Sequence, residues 1–147
     1  MMEGYFEDFA IGARHSTRTR TISDRDHEAF CKLVGYEVPL FLDDAYAQAR
    51  GLPGRICPSH LIMSFSTAMT GDLFPETVLA LMALDNARFL APVRPGDTIR
   101  TEVEVLDKRT TSRPDRGIVL FRDRVYNQHA QEVFSNDKTV LLKRRPA

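Results

Sequence analysis

Between Pro58-Ser59 and Gly71 the apolar residues Leu61, Ile62, Met63, Phe65, Ala68 and Met69 cover most of a helix circumference. A helix apolar nearly all round belongs inside a fold, so the remaining chain must supply a surface able to cover about four turns of helix. The downstream residues have the pattern for that surface. Val78-Leu79-Ala80-Leu81-Met82-Ala83-Leu84 is a continuous apolar run of the kind a central strand shows, although its Leu and Ala content also suits a helix. After the turn-forming segment Pro92-Val93-Arg94-Pro95-Gly96-Asp97, residues Ile99, Thr101, Val103 and Val105 alternate with Arg100, Glu102 and Glu104. Residues 118–126 and 132–142 read as two further strands, set off by Ser112-Arg113-Pro114-Asp115 and Asn127-Gln128-His129.

The upstream half reads as short helices and loops. Ser23 followed by Asp26 has the form of a helix N-cap, and Ala29, Phe30, Leu33 and Val34 recur at helical spacing up to Gly35. Pro39 disfavours helix at Val38. Asp43 is placed to cap a second short helix through Ala45, Tyr46 and Ala49, closed by Gly51-Leu52-Pro53-Gly54. One buried helix followed by at least four antiparallel strands predicts an α+β layer architecture, a single hot-dog domain over residues 1–147 with the sheet wrapped around the helix. Its edge strands and spare apolar sheet surface call for a second copy, so a homodimer or larger assembly is expected.

Composition narrows the function classes. Twenty Lys+Arg balance 20 Asp+Glu across 147 residues, which lacks the electrostatic footprint of a nucleic-acid binder or a polybasic membrane-surface protein. No apolar stretch approaches the roughly 18 residues of a membrane span, and the opening MMEGYFEDFAIG is acidic and aromatic, so a cytoplasmic chain is expected. Cys31 and Cys57 lack metal-ligand spacing and read as reduced thiols.

Several segments resemble the MaoC-like dehydratase family, which includes the (R)-specific enoyl-CoA hydratases. They are Phe30 and Leu33, Pro39-Leu40 with Asp43 and Tyr46-Ala47, and Gly54-Arg55-Ile56 leading into the apolar helix. The likeness continues through Asp85-Asn86-Ala87-Arg88-Phe89, Pro92-Val93 with Pro95-Gly96-Asp97-Thr98, and Asn127-Gln128. The resemblance implies hydration of a trans-2-enoyl thioester, or the reverse dehydration, on coenzyme A or an acyl-carrier protein. That chemistry needs a carboxylate and an imidazole to move protons, and hydrogen-bond donors for the enolate-like oxygen. It needs no metal or redox cofactor.

The family supplies its acid/base pair through a loop reading Asp-x-Asn-Pro-x-His and places His-Gly at the start of the buried helix. Here the loop reads Tyr36-Glu37-Val38-Pro39-Leu40-Phe41, so Tyr36 stands for the Asp and Phe41 for the His, while Pro58-Ser59 replaces His-Gly. Two readings stay open. In one, Tyr36 and Phe41 are packing residues of a chain that binds thioesters without turning them over, partnering an active chain. In the other, chemistry has moved to Glu37 and His60 as catalytic groups, with Tyr36, Ser59 and Ser64 contacting substrate; a helix dipole and free N–H groups would face the thioester oxygen. Ser59 is expected chiefly as the helix cap. A thioesterase ranks third, because residues 61–70 contain no Asp or Glu. His15, His27 and His129 are expected at the surface, Arg18, Arg20 and Lys143-Arg144-Arg145 as solvated charges or contacts for coenzyme A phosphates, and Arg88 in a pair with Asp85 or Asp97.

Overall fold

The computed structural model describes residues 2–147. Strands β1 (Arg14–Ser16) and β2 (Arg20–Thr21) precede helices α1 (Asp24–Val34), α2 (Pro39–Leu42), α3 (Asp44–Gln48) and α4 (Ser59–Met69). Then come β3 (Val78–Phe89), β4 (Thr98–Thr110), β5 (Arg116–Tyr126) and β6 (Glu132–Lys143). The strands form one antiparallel sheet in the order β1-β4-β5-β6-β3, with β2 also paired to β4. This is the α+β hot-dog architecture the pattern predicts.

Local signals hold where they rest on capping chemistry. Ser23 accepts from the Asp26 amide at 2.9 Å while the Asp26 carboxylate accepts from Ser23 N–H, and Gly35 ends α1 at φ 82. Asp43 caps α3 through the Tyr46 amide at 3.1 Å. The alternation in β5 is complete, with Gly117, Val119, Phe121, Asp123 and Val125 buried and the residues between them half-exposed. Gly117 is required by packing: an added Cβ would enter the Phe6 ring.

Three expectations are corrected. The run 78–84 forms β3, but β3 lies at the edge of the sheet and pairs only with β6 on one side, leaving Val78, Leu79, Leu81, Met82 and Leu84 exposed. Helix α4 is buried on one face only, through Leu61, Ile62, Ser66 and Met69, and is continued by a 3-10 turn over Thr70–Leu73. His60, Ser64, Thr67 and Ala68 point away from the sheet and are exposed, because one sheet covers only one side of a helix. In α1 the buried residues are His27 and Cys31, whereas Leu33 is 83% exposed.

The interior consists of two apolar clusters separated by a polar row. One contains Ile22, Leu61, Ile62, Ile99, Val125 and Phe134, the other Phe9, Phe74, Val103, Phe121, Val140 and Leu142. Between Ile99 and Val103 stands Thr101, between Phe121 and Val125 stands Asp123, and between Phe134 and Val140 stand Asn136 and Lys138, all buried. Lys138 Nζ meets Asp123 Oδ2 at 2.8 Å and donates to Thr70 Oγ1 at 3.1 Å, and Thr101 Oγ1 donates to the Ser66 carbonyl at 3.3 Å. Burial raises the Asp123 carboxyl above its ordinary range, opposed by the Lys138 ammonium. Breaking such a pair leaves an uncompensated buried charge. In urea unfolding, Lys138→Met is expected to lose about 3–5 kcal/mol, and the double variant Asp123→Leu/Lys138→Met to recover most of that loss; equal losses in the two proteins would show that the ion pair is not what is being measured.

Candidate active site

The start of α4 is positioned from two sides. The Cys57 amide donates to the Val93 carbonyl at 2.7 Å, which ties the residue before Pro58 to the Pro92-Val93 segment. That segment is itself folded by Asp97, whose carboxylate accepts from the Arg94 amide at 2.9 Å and from Gln128 Nε2 at 2.8 Å. On the other side Arg55 reaches back to α1, with Nη2 at 2.9 Å from Asp24 and 3.2 Å from Glu28, while its amide donates to Asp44 at 2.9 Å. Gly54 lets the Arg94 guanidinium and the Asp44 carboxylate close over the turn, where an added Cβ would make both shift. The residues shared between Gly54-Arg55-Ile56 and Pro-Val-x-Pro-Gly-Asp thus fix where the helix begins.

Pro58 is the N-cap, in extended backbone, and no side chain caps the helix. Ser59 is therefore the first helical residue and not its cap, which corrects the capping expectation. The first backbone bonds to the Pro58 carbonyl come from Leu61 and Ile62, at 3.0 and 3.4 Å, so the Ser59 and His60 amides have no acceptor within the helix. Beside them lies a cavity of about 270 Å³ lined by Ser59 with Ile56, Cys57, Ile62, Phe89 and Leu90, among other apolar residues. The chemistry on offer is an anion- or oxyanion-favouring helix end opening on an apolar chamber.

The other candidates divide between two places. His60 and Ser64 lie on the exposed face of α4, one turn apart. Tyr36 and Glu37 line a second cleft of about 350 Å³ with Glu28, Cys31, Lys32 and Leu42. Neither cavity is lined by both Glu37 and Ser59, so within one chain the structure does not join the two groups of candidates. Tyr36 packs edge-on against Phe41, with ring centroids 5.2 Å apart, half-buried in each case.

His27 is the residue that sequence patterning misplaced. It is fully buried, and its Nε2 lies 2.6 Å from the Phe41 carbonyl, a contact only the N–H tautomer at Nε2 satisfies, which leaves Nδ1 without a partner among the described residues. An imidazole thus holds the backbone of Phe41. The period of α1 carries the signal, since His27 and Cys31 are one turn apart and face the interior together. His15 is half-buried with its ring edge toward Phe9, and only His129 is exposed as expected. Arg144 and Arg145 pair with Glu7 at 2.8 Å and Asp8 at 2.7 Å, and both stay partly in solvent. Arg88 reaches neither Asp85 nor Asp97. Among the described residues no group of three or more His, Cys, Asp or Glu is placed to hold a metal, and no helix is long and apolar enough to cross a membrane.

The chain is similar to known proteins in sequence and in fold. The family model described as MaoC like domain matches residues 8–121. An (R)-specific enoyl-CoA hydratase of Rhodospirillum rubrum is 32% identical over 141 residues, covering 96% of this chain and 93% of that protein. The mesaconyl-CoA hydratase of Cereibacter sphaeroides is 30% identical over 145 residues, covering 96% of this chain, which spans only 41% of that longer protein. Among solved structures, the unliganded R-hydratase PhaJ1 from Pseudomonas aeruginosa superposes with a TM-score of 0.79 at 26% identity, covering 97% of this chain and 88% of the other.

Burial, reinforced by the Asp97 carboxylate, pushes the Cys57 thiol up to about 12, and burial also raises Cys31. At pH 8 a thiol with that pKa is ionised to only about one part in 10⁴. Iodoacetamide is expected to leave Cys57 unmodified in the native protein at pH 8 and to alkylate it readily in denaturant, read by intact mass; rapid native labelling would mean that the chamber wall is open to water.

Proposed function

The chain belongs to the MaoC-like dehydratase family, and we propose on that premise that it binds a 2-enoyl or 3-hydroxyacyl thioester at the N-terminus of α4 and interconverts the two by adding or removing water. The observation that carries this reading is the uncapped start of α4 facing an apolar chamber of about 270 Å³. The thioester carbonyl accepts from the Ser59 and His60 amides, and the acyl chain enters among Ile56, Ile62, Phe89 and Leu90. Charge that builds on the carbonyl oxygen as water attacks is met by N–H groups already aligned with the helix dipole. In the hydration direction the water oxygen bonds to the β-carbon, one water proton passes to a base, and a proton is delivered to the α-carbon.

His60 is assigned that proton transfer, because it is the one titratable side chain in the first two turns of α4. Ser64, one turn further along the same exposed face, is placed as a substrate contact. Glu37 is the second acid/base candidate, although it lines the separate cleft beside Tyr36, apart from the helix start within one chain. Coenzyme A or an acyl-carrier protein is the thioester's carrier. With crotonyl-CoA and longer 2-enoyl-CoAs, followed by loss of enoyl absorbance, His60→Ala is expected to lower kcat about 100-fold or more with little change in KM. Full activity in both His60→Ala and Glu37→Gln would overturn the assignment of residues, and a wild-type protein inert on every enoyl thioester would overturn the reaction.

One observation favours a second reading, a thioester-binding chain without turnover that partners an active one. Tyr36 and Phe41 fill each other's faces, and His27 is already engaged by the Phe41 carbonyl, so the loop is packed rather than poised. Calorimetric binding of an enoyl-CoA without turnover, together with co-purification of a catalytic hot-dog chain, would favour it. A thioesterase has less support, since the first turn of α4 carries no carboxylate.

Both readings are proposed to act as a homodimer joined along β3. Over residues 78–84 that strand is apolar on both faces yet stands at a sheet edge, and an antiparallel copy beside it makes it the central strand its sequence describes. The same pairing brings cover to the exposed face of α4. Light scattering after gel filtration is expected to give a dimer for the wild type and a monomer for Leu81→Lys; a wild-type monomer would refute the pairing.

A further inference from the structure

On the outer face of the sheet, side chains of neighbouring strands stand in cross-strand rows. One row runs Glu104 (β4), Arg122 (β5), Asp137 (β6) and Asp85 (β3) by register. In it a carboxylate sits beside the guanidinium: Asp137 accepts from Arg122 Nε at 2.7 Å and Nη2 at 3.1 Å, and from Asn86 Nδ2 at 3.0 Å. Asn86 makes that contact from a left-handed backbone, φ 54, within the irregular stretch of β3 between Asp85 and Arg88. The Arg122 guanidinium, with help from Asn86, holds the Asp137 carboxyl below its ordinary range.

The adjacent row runs Glu102, Arg124, Ser135 and Arg88. Here the place between two guanidiniums, filled by a carboxylate one row along, holds only a serine. Arg124 is steadied by Glu104 at 3.0 Å, while Arg88 has no carboxylate partner among the described residues. A cleft of about 330 Å³ opens at this point, lined by Arg88, Arg122, Arg124, Ser135, Asn86 and Asp137, with three guanidiniums against one carboxylate.

We infer that this cleft binds a phosphate-class oxyanion between Arg88 and Arg124, above Ser135. Guanidinium forks match the spacing of phosphate oxygens and bind them as paired charge-assisted hydrogen bonds. Ser135 adds a hydroxyl donor, and Arg122, fixed by Asp137, turns its remaining N–H groups to the rim. The small side chain at position 135 is what leaves room for a tetrahedral anion where Asp137 needs none. Pairing of two copies along β3 would extend the sheet edgewise and keep its outer face in water, so the site stays accessible in the dimer. The inference does not depend on hydratase activity, and its readout is binding.

Calorimetry at low ionic strength tests it, with inorganic phosphate, pyrophosphate, coenzyme A, 3′-dephospho-coenzyme A and pantetheine as probes. Pyrophosphate is expected to bind once per chain, with affinity falling as salt is added. Arg88→Gln is expected to weaken binding about tenfold or more. Ser135→Asp, which supplies the missing carboxylate, is expected to abolish binding while leaving the melting temperature unchanged or raised. Arg113→Gln, on the exposed turn after β4, serves as a charge control and is expected to bind as the wild type does. Coenzyme A binding more tightly than pyrophosphate, and losing that advantage in Arg88→Gln, would name coenzyme A's phosphates as the source of the anion; the reverse order would name a free phosphate. Absence of phosphate or pyrophosphate binding at millimolar concentration, or binding untouched by both Arg88→Gln and Ser135→Asp in folded protein, would overturn the inference.

Discussion

Lys138 and Asp123 bring an ammonium and a carboxylate to 2.8 Å in the middle of an otherwise apolar interior, and the placement of α4 follows from how they are satisfied. An ion pair out of water is stable only with good geometry and further hydrogen bonds. Thr70, at the end of α4, supplies one, and Thr101 on the same polar row holds the Ser66 carbonyl. A helix packed only through Leu, Ile and Met could slide along the sheet at modest cost, since apolar contact is non-directional. Two hydrogen bonds four residues apart fix its position along its own axis. Because the C-terminal end is fixed in this way, the N-terminal end falls at a defined place beside Phe89, Leu90 and Val133.

That place matters because the helix start carries the polar chemistry of the site. The tie from Cys57 to Val93 and the clamp of Arg55 on α1 bring Ser59 to the chamber, with His60 beside it on the exposed face of the helix. On the loop after α1, Tyr36 and Phe41 form an aromatic contact. Stabilising charge on oxygen and moving protons are two functions that the proposed reading gives to different parts of the chain. These functions are separable because one belongs to the backbone of a helix end and the other to side chains.

Much of this was legible in the sequence wherever a local rule decides the structure. Ser23 with Asp26, Asp43 before Tyr46, Gly35 after Val34 and the alternation of β4 and β5 each depend on neighbours in the chain or on one sheet face. What failed depended on partners distant in sequence. The run 78–84 looks central because it is apolar throughout, but no strand of the same chain lies on its far side. Met63 and Phe65 made α4 look enclosed, although both are only partly buried. His27 looked like a surface residue because its acceptor, the Phe41 carbonyl, is 14 residues away across a loop. Arg88 looked paired because two acidic residues are near in sequence, while the fold turned them elsewhere.

The segment from α1 to α3 is attached differently from the sheet beneath it. Its helices bury only His27, Cys31 and Ala47, and α2 buries nothing. The His27 contact ties α1 to α2 within the segment, which is held from outside by Phe30 against the core, the Arg20–Asp26 pair and the ion pairs of Arg55, with Asp24 and Glu28 largely in solvent. Segments with so few buried side chains open at a free energy well below that of global unfolding. Amide hydrogens of α1–α3 therefore exchange with solvent ahead of those in β5 and β6, and the loop bearing Tyr36 and Glu37 is uncovered far more often than the core it lies on.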